Sequence, residues 1–338
     1  MTIFLMLAAR CARLVEAYPW LDRMTLWLAA FVLFLSTRAQ HLSISHDSIF
    51  YMTGVRDGTW HSGFHPHHLL FQPFMVAMTS LLGALSDASV IMRIEGVNAF
   101  VGATGAALLY MMCTNRLQMA RSHSLAAVCT TCLSYGYWYH SVCIEVVMIP
   151  LVLFTGCLYV ALGDWHTRST PVAAGILHAL SIVFHQVYVF QGIALVCIAV
   201  MRGESPAERL RFCGRYLLAS VPLVIALYGF ALVVEVRPES PAAAYRWLTA
   251  YAYIGTEANT HYNPPSLRTP LEIAVGETRA LTGLISITKS EIGSAIVRKA
   301  FPSKHIEDEE YITRTMNPVV ALAVFLLSGA VCVYFCVV

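Results

Sequence analysis

Apolar residues in this chain are grouped into long runs that short polar stretches separate. The runs that we predict as helices cover 24–37, 69–86, 96–114, 124–139, 146–163, 171–201, 216–236 and 317–338. Several of them contain charge-free windows of about the length needed to cross the hydrocarbon core of a bilayer. The pattern therefore predicts an all-α polytopic membrane protein with about eight transmembrane helices.

Segment 171–201 is longer than an ordinary span and carries His185 and Gln186 near its middle. As one straight helix it would be about 46 Å long, whereas the hydrocarbon core is about 30 Å thick. We therefore expect two short helices that meet near Phe184 and Gln186.

The distribution of arginines predicts the orientation of the chain. Basic residues near the N-terminus place that end in the cytoplasm (Arg10, Arg13, Arg23), and an interfacial helix leading into the first span fits residues 1–23 better than a cleaved signal peptide. If 69–86 crossed the membrane, Arg116 and Arg121 would lie outside, against the positive-inside rule. We therefore predict 69–86 as a juxtamembrane helix that does not cross.

This topology predicts three parts of the chain. Residues 1–236 form a transmembrane module, with a first outer loop at 38–68. Residues 237–315 form an outer loop with amphipathic helices, and 316–338 a C-terminal transmembrane helix. We expect a multi-pass protein of the bacterial inner membrane with a cytoplasmic N-terminus.

Composition supports the membrane assignment and excludes one class of partner. Apolar residues make up 57% of the chain and charged residues 12%, and the mean hydropathy is +0.63, whereas a soluble domain has about 25% charged residues. A net charge of +2 provides no basic face for nucleic acid. The cysteines lie mostly inside apolar runs, which argues against a disulfide framework, and the Cys129–Cys132 pair is read as packing residues.

Histidines are concentrated in the stretch 41–73, which holds six of the 13 in the chain. His65, His67 and His68 surround Pro66 and are too close in sequence to form a tetrahedral zinc site unless Asp47 or Glu145 joins them. Hydrogen bonding to a phosphate or substrate, and a polar helix start with Pro66 in its first turn, are the alternatives to a metal.

Two acidic residues stand out because they lie beside apolar segments. Asp47 is read either as a helix N-cap or as a general base whose pKa His46 and Arg56 would tune. Glu145, close to His140, is read as an interfacial residue or a site carboxylate. His185 and Gln186 are read as a helix–helix hydrogen bond or as site residues.

The order of these motifs resembles a known family. An Asp-Ser pair (47–48) follows the first span, a His-Pro pair (65–66) precedes the next apolar helix, and "VNAFVGATGAALLY", "WYHSVCIEVV" and "FHQ" follow. The order is similar to that in GT-C superfamily integral-membrane glycosyltransferases, nearest to the branch related to protein O-mannosyltransferases. His67 and His68 replace the small residues usual after His-Pro, and Val147 replaces the expected Tyr after Glu-Val.

The resemblance implies a GT-C-like bundle that transfers a sugar from a polyprenyl-phosphate donor on the outer face. It implies Asp47 as general base, Glu145 as the second acidic residue, and His65, His67 and His68 facing the donor phosphate. His46, Arg56, His140, His185 and Gln186 complete the predicted substrate-binding set. A divalent cation, Mg²⁺ or Mn²⁺ before zinc, or imidazolium and Arg56, would neutralise the departing phosphate.

Two other classes of function fit the sequence. One is a transporter or channel with a histidine-lined outer vestibule, although no internal repeat is visible. The other is a catalytically silent membrane assembly protein. The sequence leaves the acceptor unidentified.

Overall fold

The structure is a computed structural model, and it describes residues 19–38, 46–58, 64–85, 88–165, 167–248 and 295. Three predicted segments lie outside the described residues. They are the N-terminal interfacial helix before Pro19, the outer loop 237–315 beyond Leu248 apart from Ala295, and the C-terminal helix 316–338. Throughout the described ranges the chain is helical and contains no strand.

The chain forms a series of helices joined by short connectors. They are α1 (Pro19–Ser36), α2 (His46–Arg56), α3 (Phe71–Gly83), α4 (Val90–Met111), α5 (Arg121–Leu133), α6 (Tyr135–Val142), α7 (Met148–Ala161), α8 (Ser169–Phe184), α9 (Gly192–Arg202), α10 (Pro206–Phe230) and α11 (Pro241–Leu248). Two 3₁₀ turns, Pro66–His68 and Gln186–Gln191, precede α3 and α9, and π-helical turns extend α4 to Arg116 and α10 to Val236.

Two of the described helices are long and apolar enough to cross a membrane: Val90–Arg116, with 27 residues, and Pro206–Val236, with 31. The expected count of about eight spans is therefore not reached in this part of the chain. Helix α3 has 13 residues, or about 20 Å, which is shorter than the hydrocarbon core of about 30 Å. Helices α7 and α8 are also shorter than that thickness, so the placement of α3 as a juxtamembrane helix stays a prediction.

The break expected in segment 171–201 is confirmed, because α8 ends at Phe184 and His185 has an extended backbone. The expectation of one helix over 124–139 is wrong. Helix α5 ends at Leu133, and Ser134 starts α6 by accepting a hydrogen bond from the Tyr137 N–H at 3.4 Å.

Residues 206–215 precede the predicted apolar run 216–236, yet they belong to α10. Ser205 caps this helix through a hydrogen bond from the Glu208 N–H at 3.3 Å, and Pro206 occupies its first turn. A Ser followed three residues later by Glu is a capping-box signal, and the Pro favours the same start.

Helix α4 is the centre of the first half of the bundle, where it packs against α1, α6 and α7. Small residues on α4 allow this close approach: a β-carbon at Gly102 would collide with the Ser141 side chain, and one at Gly105 with Tyr137. Helix α8 packs between α7 and α10 in the second half.

Polar groups are concentrated at the two ends of α4. At its C-terminal end, Arg23 donates to Asn115 at 3.3 Å and Arg116 donates to the Tyr159 carbonyl at 3.0 Å. At its N-terminal end lie Glu95 and Asn98, both buried. Asn98 and Asn115 are separated by about 26 Å along the helix axis, close to the thickness of a hydrocarbon core.

Helices α9 and α10 expose apolar side chains on the outside of the bundle. Met201 is 83% exposed, Leu218 76% and Ile225 65%. Such a surface is typical of helices that face lipid.

Candidate functional site

The connector between α6 and α7, residues 143–147, is held in place by side chains from two other helices. Asn98 of α4 donates through Nδ2 to the Cys143 carbonyl at 2.6 Å and to the Glu145 carbonyl at 3.2 Å. Ser48 of α2 donates through Oγ to the Ile144 carbonyl at 2.8 Å. The non-helical backbone around Glu145 is therefore tied to both helices.

The Ser48 bond also fixes where the first outer loop meets the bundle. His46 and Asp47 begin α2, and the described side chains of that helix start at Ser48. The backbone of Asp47 is thus one residue from a contact with the connector that carries Glu145. The structure brings together these two segments, which the sequence separates by nearly a hundred residues.

Glu95 is a third acidic residue at this place, and the sequence interpretation missed it. Its side chain is buried on α4, one turn before Asn98. Burial raises the pKa of the Cys143 thiol well above its usual range, and the nearby carboxylates of Glu145 and Glu95 add to that rise. A Glu one turn before an Asn inside an apolar helix was the available signal.

Two 3₁₀ turns, each capped by a histidine, face each other beside this connector. His65 Nδ1 accepts from the His67 N–H at 3.3 Å, and His185 Nδ1 accepts from the Val187 N–H at 3.4 Å. The first turn is anchored to the bundle because Tyr228 Oη donates to the Pro66 carbonyl at 2.6 Å.

The rings of the two turns form one cluster. The His68 and His185 ring centroids are 4.5 Å apart, with the rings nearly perpendicular, and the His65 and His68 centroids are 5.8 Å apart and stacked. Tyr51 of α2 lies one turn after Asp47, and its ring centroid is 6.0 Å from that of His68. The histidine cluster therefore adjoins the helix that carries Asp47.

Burial keeps these imidazoles uncharged. It lowers the pKa of His68 to about 2 and that of His67 to about 4, and the neighbouring histidines lower both further. Burial, with a smaller effect of His185, lowers the pKa of His140 to about 4. At neutral pH these imidazoles are uncharged, so they can interact with a ligand through hydrogen bonds and not through a positive charge.

The remaining predicted residues occupy varied positions. Gln186 starts the second 3₁₀ turn. Arg56 ends α2, about 14 Å along the helix from Asp47, and its exposed guanidinium pairs with Asp57 at 2.9 Å. The position of Arg56 therefore gives no support to the prediction that it tunes the pKa of Asp47.

Arg38 is a cation at this end of the bundle that the sequence interpretation did not select. It follows Thr37, whose Oγ1 accepts a hydrogen bond from Trp138 Nε1 at 2.8 Å on α6, the helix of His140. The Nε of Arg38 is buried and has no hydrogen-bond partner within the described residues. A buried guanidinium nitrogen in this condition is suited to an anion.

His178, in contrast, is a structural histidine. Its Nε2 lies 2.8 Å from the Tyr188 carbonyl and its Nδ1 lies 2.6 Å from Tyr216 Oη. Because a carbonyl only accepts, Nε2 carries the proton and Nδ1 accepts from the tyrosine. Both ring nitrogens are satisfied, and the residue joins α8 to α10.

The described part of the chain holds no group of three or more His, Cys, Asp or Glu side chains arranged to bind a metal. A cleft of about 290 Å³ opens at the opposite end of the bundle, lined by Arg202, Arg211, Arg215 and the acidic Asp164, Glu204 and Glu208, among others. It is separate from the histidine cluster.

Comparisons with known proteins do not assign this site. No protein-family model matches the chain, and no curated protein matches it significantly.

Proposed function

We propose that this protein is an integral-membrane glycosyltransferase of the GT-C type, which takes a sugar from a polyprenyl-phosphate donor and transfers it to an acceptor hydroxyl. The observation that carries the proposal is the hydrogen bond from Ser48 Oγ to the Ile144 carbonyl at 2.8 Å. It joins the start of α2, with Asp47, to the connector that holds Glu145. The resemblance in the sequence assigns the two acidic residues of the reaction to these same segments.

The chemistry needs a base for the acceptor. The acceptor oxygen attacks the anomeric carbon, its proton passes to the Asp47 carboxylate, and the bond from that carbon to the phosphate oxygen breaks with its electron pair leaving on the phosphate. Glu145 is the second carboxylate, and the two hydrogen bonds from Asn98 fix its backbone position. The products are the glycosylated acceptor and the polyprenyl phosphate.

The departing phosphate needs a positive charge or strong donors. We assign this role to Arg38, because a guanidinium stays charged at every physiological pH. Its buried Nε, which lacks a partner in the part of the chain described, supports the assignment. A divalent cation remains compatible with the reaction as an additional ligand of the phosphate.

In this proposal the chain crosses the bacterial inner membrane about eight times, with the N-terminus in the cytoplasm. The arginine-rich end, with Arg23 and Arg116, is cytoplasmic. The end with the histidine cluster is extracytoplasmic, where polyprenyl-phosphate sugars would meet their acceptors. Support comes from the two polar ends of α4, which lie about one hydrocarbon thickness apart.

Asp47→Asn tests the proposal, because it removes the base and retains the shape of the side chain. We expect sugar transfer by the purified protein to fall at least about 100-fold, with unchanged donor binding and thermal unfolding. The matched control is Asp164→Asn, an exposed aspartate at the arginine-rich end, which should transfer normally. Undiminished transfer by Asp47→Asn would overturn the assignment of the base.

A further inference from the structure

The hydrogen bonds of the two histidine-capped turns determine which nitrogen carries the proton. His185 Nδ1 accepts a hydrogen bond from the Val187 N–H, so in the neutral ring the proton is on Nε2. The same holds for His65, whose Nδ1 accepts from the His67 N–H. His185 therefore offers an N–H donor on the side of its ring away from its own turn.

His68, in contrast to His185, offers a hydrogen-bond acceptor. Its ring is hydrogen-bonded to the backbone of Phe184, and its Nδ1 is buried without a hydrogen-bond partner among the described residues. Because Nδ1 has no partner there, we infer that Nε2 is the nitrogen that faces the Phe184 carbonyl and carries the proton. Nδ1 then carries a lone pair that only a hydrogen-bond donor can satisfy. The residue is 8% exposed, so bulk water has little access to it.

The His68 ring offers a hydrogen-bond acceptor and the His185 ring offers a donor, and the centroids of the two rings are 4.5 Å apart. A phosphate oxygen only accepts hydrogen bonds at neutral pH, so it would be repelled by the Nδ1 lone pair. A hydroxyl both donates and accepts. Two adjacent hydroxyls of a sugar ring therefore match this pair, one donating to His68 and the other accepting from His185.

The surroundings also suit a sugar. The ring of Tyr51 lies 6.0 Å from His68 and that of Tyr188 lies 6.0 Å from His185. Aromatic rings beside hydrogen-bonding groups provide apolar surface for the C–H faces of a carbohydrate. The lowered pKa of His68, about 2, agrees with a neutral ring at working pH.

We propose that His68 and His185 form a subsite for adjacent hydroxyl groups of the transferred sugar, and that they do not bind the donor phosphate. This inference rests on the proposed function, and it changes the role of the histidines from charge neutralisation to sugar recognition. Nδ1 of His68 accepts from one hydroxyl, and Nε2–H of His185 donates to the next.

Binding of two kinds of lipid, with and without a sugar, to the full-length protein in detergent tests the subsite. The probes are undecaprenyl phosphate, which has no sugar, and undecaprenyl-phosphate hexoses with mannose, glucose or galactose. The wild type should bind at least one hexose lipid more tightly than the bare phosphate. His68→Gln retains a donor for the Phe184 carbonyl but loses the Nδ1 acceptor, so it should weaken hexose-lipid binding about 10-fold and leave undecaprenyl phosphate unaffected.

His185→Ala is the second variant, and it should show the same selective loss. His123→Gln, an exposed histidine on α5, is the matched control and should bind both lipids normally. Thermal unfolding of each variant separates a local effect from a failure to fold.

The remaining outcomes are decisive. Equal weakening of both lipids by His68→Gln and His185→Ala would place the histidines at the phosphate, and no weakening would remove them from the site. A wild type that binds undecaprenyl phosphate but no hexose lipid more tightly would also overturn the subsite. A wild type that binds neither lipid would contradict the proposed function itself.

Discussion

The imidazoles of His67 and His68 have pKa values of about 4 and about 2, chiefly because burial disfavours their charged forms. In the unfolded chain the ordinary value is 6.5. Between pH 6.5 and about 4 the unfolded state therefore binds more protons than the folded state. The stability contributed by these residues is complete above pH 6.5 and decreases as the pH falls.

This linkage predicts the pH dependence of unfolding. The midpoint of thermal unfolding in detergent, followed by tryptophan fluorescence, should decrease steadily from pH 6.5 to pH 4.5. His68→Gln should make that decrease shallower, whereas His123→Gln should leave its slope unchanged. A His68→Gln slope equal to that of the wild type would show that His68 is not buried as a neutral ring.

Asn98 provides a second prediction for a single residue. Asn98→Ala removes both hydrogen bonds to the connector carbonyls, so we expect a loss of about 1–2 kcal/mol of stability together with impaired transfer. Asn115→Ala, at the other end of α4, also removes hydrogen bonds and should reduce stability without reducing transfer by the folded protein. Equal transfer rates in the two variants would contradict the role given to Asn98.

The sequence indicated some residues of the proposed site and not others. Asp47, Glu145 and the histidines of 41–73 lie in polar stretches between apolar runs, and His185 interrupts an apolar run. Polar and ionisable side chains are costly in a membrane, so such residues are conspicuous in the sequence. Glu95 and Arg38 lie just outside the predicted runs 96–114 and 24–37, and neither was selected as a candidate site residue. Their positions depend on which helices pack together, and periodicity alone does not contain that information.

At the scale of the elements, α8 and α10 make one of the closest helix contacts in the bundle. A β-carbon at Gly175 would lie 2.6 Å from the Tyr216 carbonyl oxygen and 2.9 Å from Ala219 Cβ. Backbone atoms cannot yield as a flexible side chain can, so a larger residue must separate the helices. The contact also positions α10, whose Tyr228 holds the first histidine turn.

Gly175→Val should therefore lower the free energy of unfolding by about 1–3 kcal/mol, as overpacking does in other cores. The control is Gly214→Ala on α10, because a β-carbon there meets no atom within 4 Å. Thermal unfolding in detergent measures the stability of both variants. A Gly175→Val protein as stable as the wild type would show that the two helices are not in this close contact.

Helix boundaries were predictable where a local signal exists. The excess length of 171–201 predicted the break at His185. Hydropathy alone missed the break at Ser134, because the residues on both sides are apolar and only a serine cap separates them. It also placed the start of α10 too late, because Arg209, Arg211 and Arg215 resemble a loop although the helix continues through them.

At the scale of the whole molecule, the two polar ends of α4 should lie on opposite sides of the membrane. Asp57→Cys marks the end with the histidine cluster and Glu204→Cys marks the arginine-rich end, and both residues are exposed. A membrane-impermeant thiol reagent added to intact spheroplasts should label Asp57→Cys and spare Glu204→Cys until the cells are lysed. Labelling of both from one side would contradict the proposed topology.

The proposed function requires this protein to bind a sugar carried on a polyprenyl phosphate. Mass spectrometry of the lipids that remain bound to the purified wild-type protein tests it most directly, since it identifies the lipid and the sugar together. We predict a polyprenyl-phosphate sugar in the wild type, and less of it relative to bare polyprenyl phosphate in His68→Gln. Recovery of ordinary phospholipids alone, even after incubation with undecaprenyl-phosphate hexoses, would contradict the account.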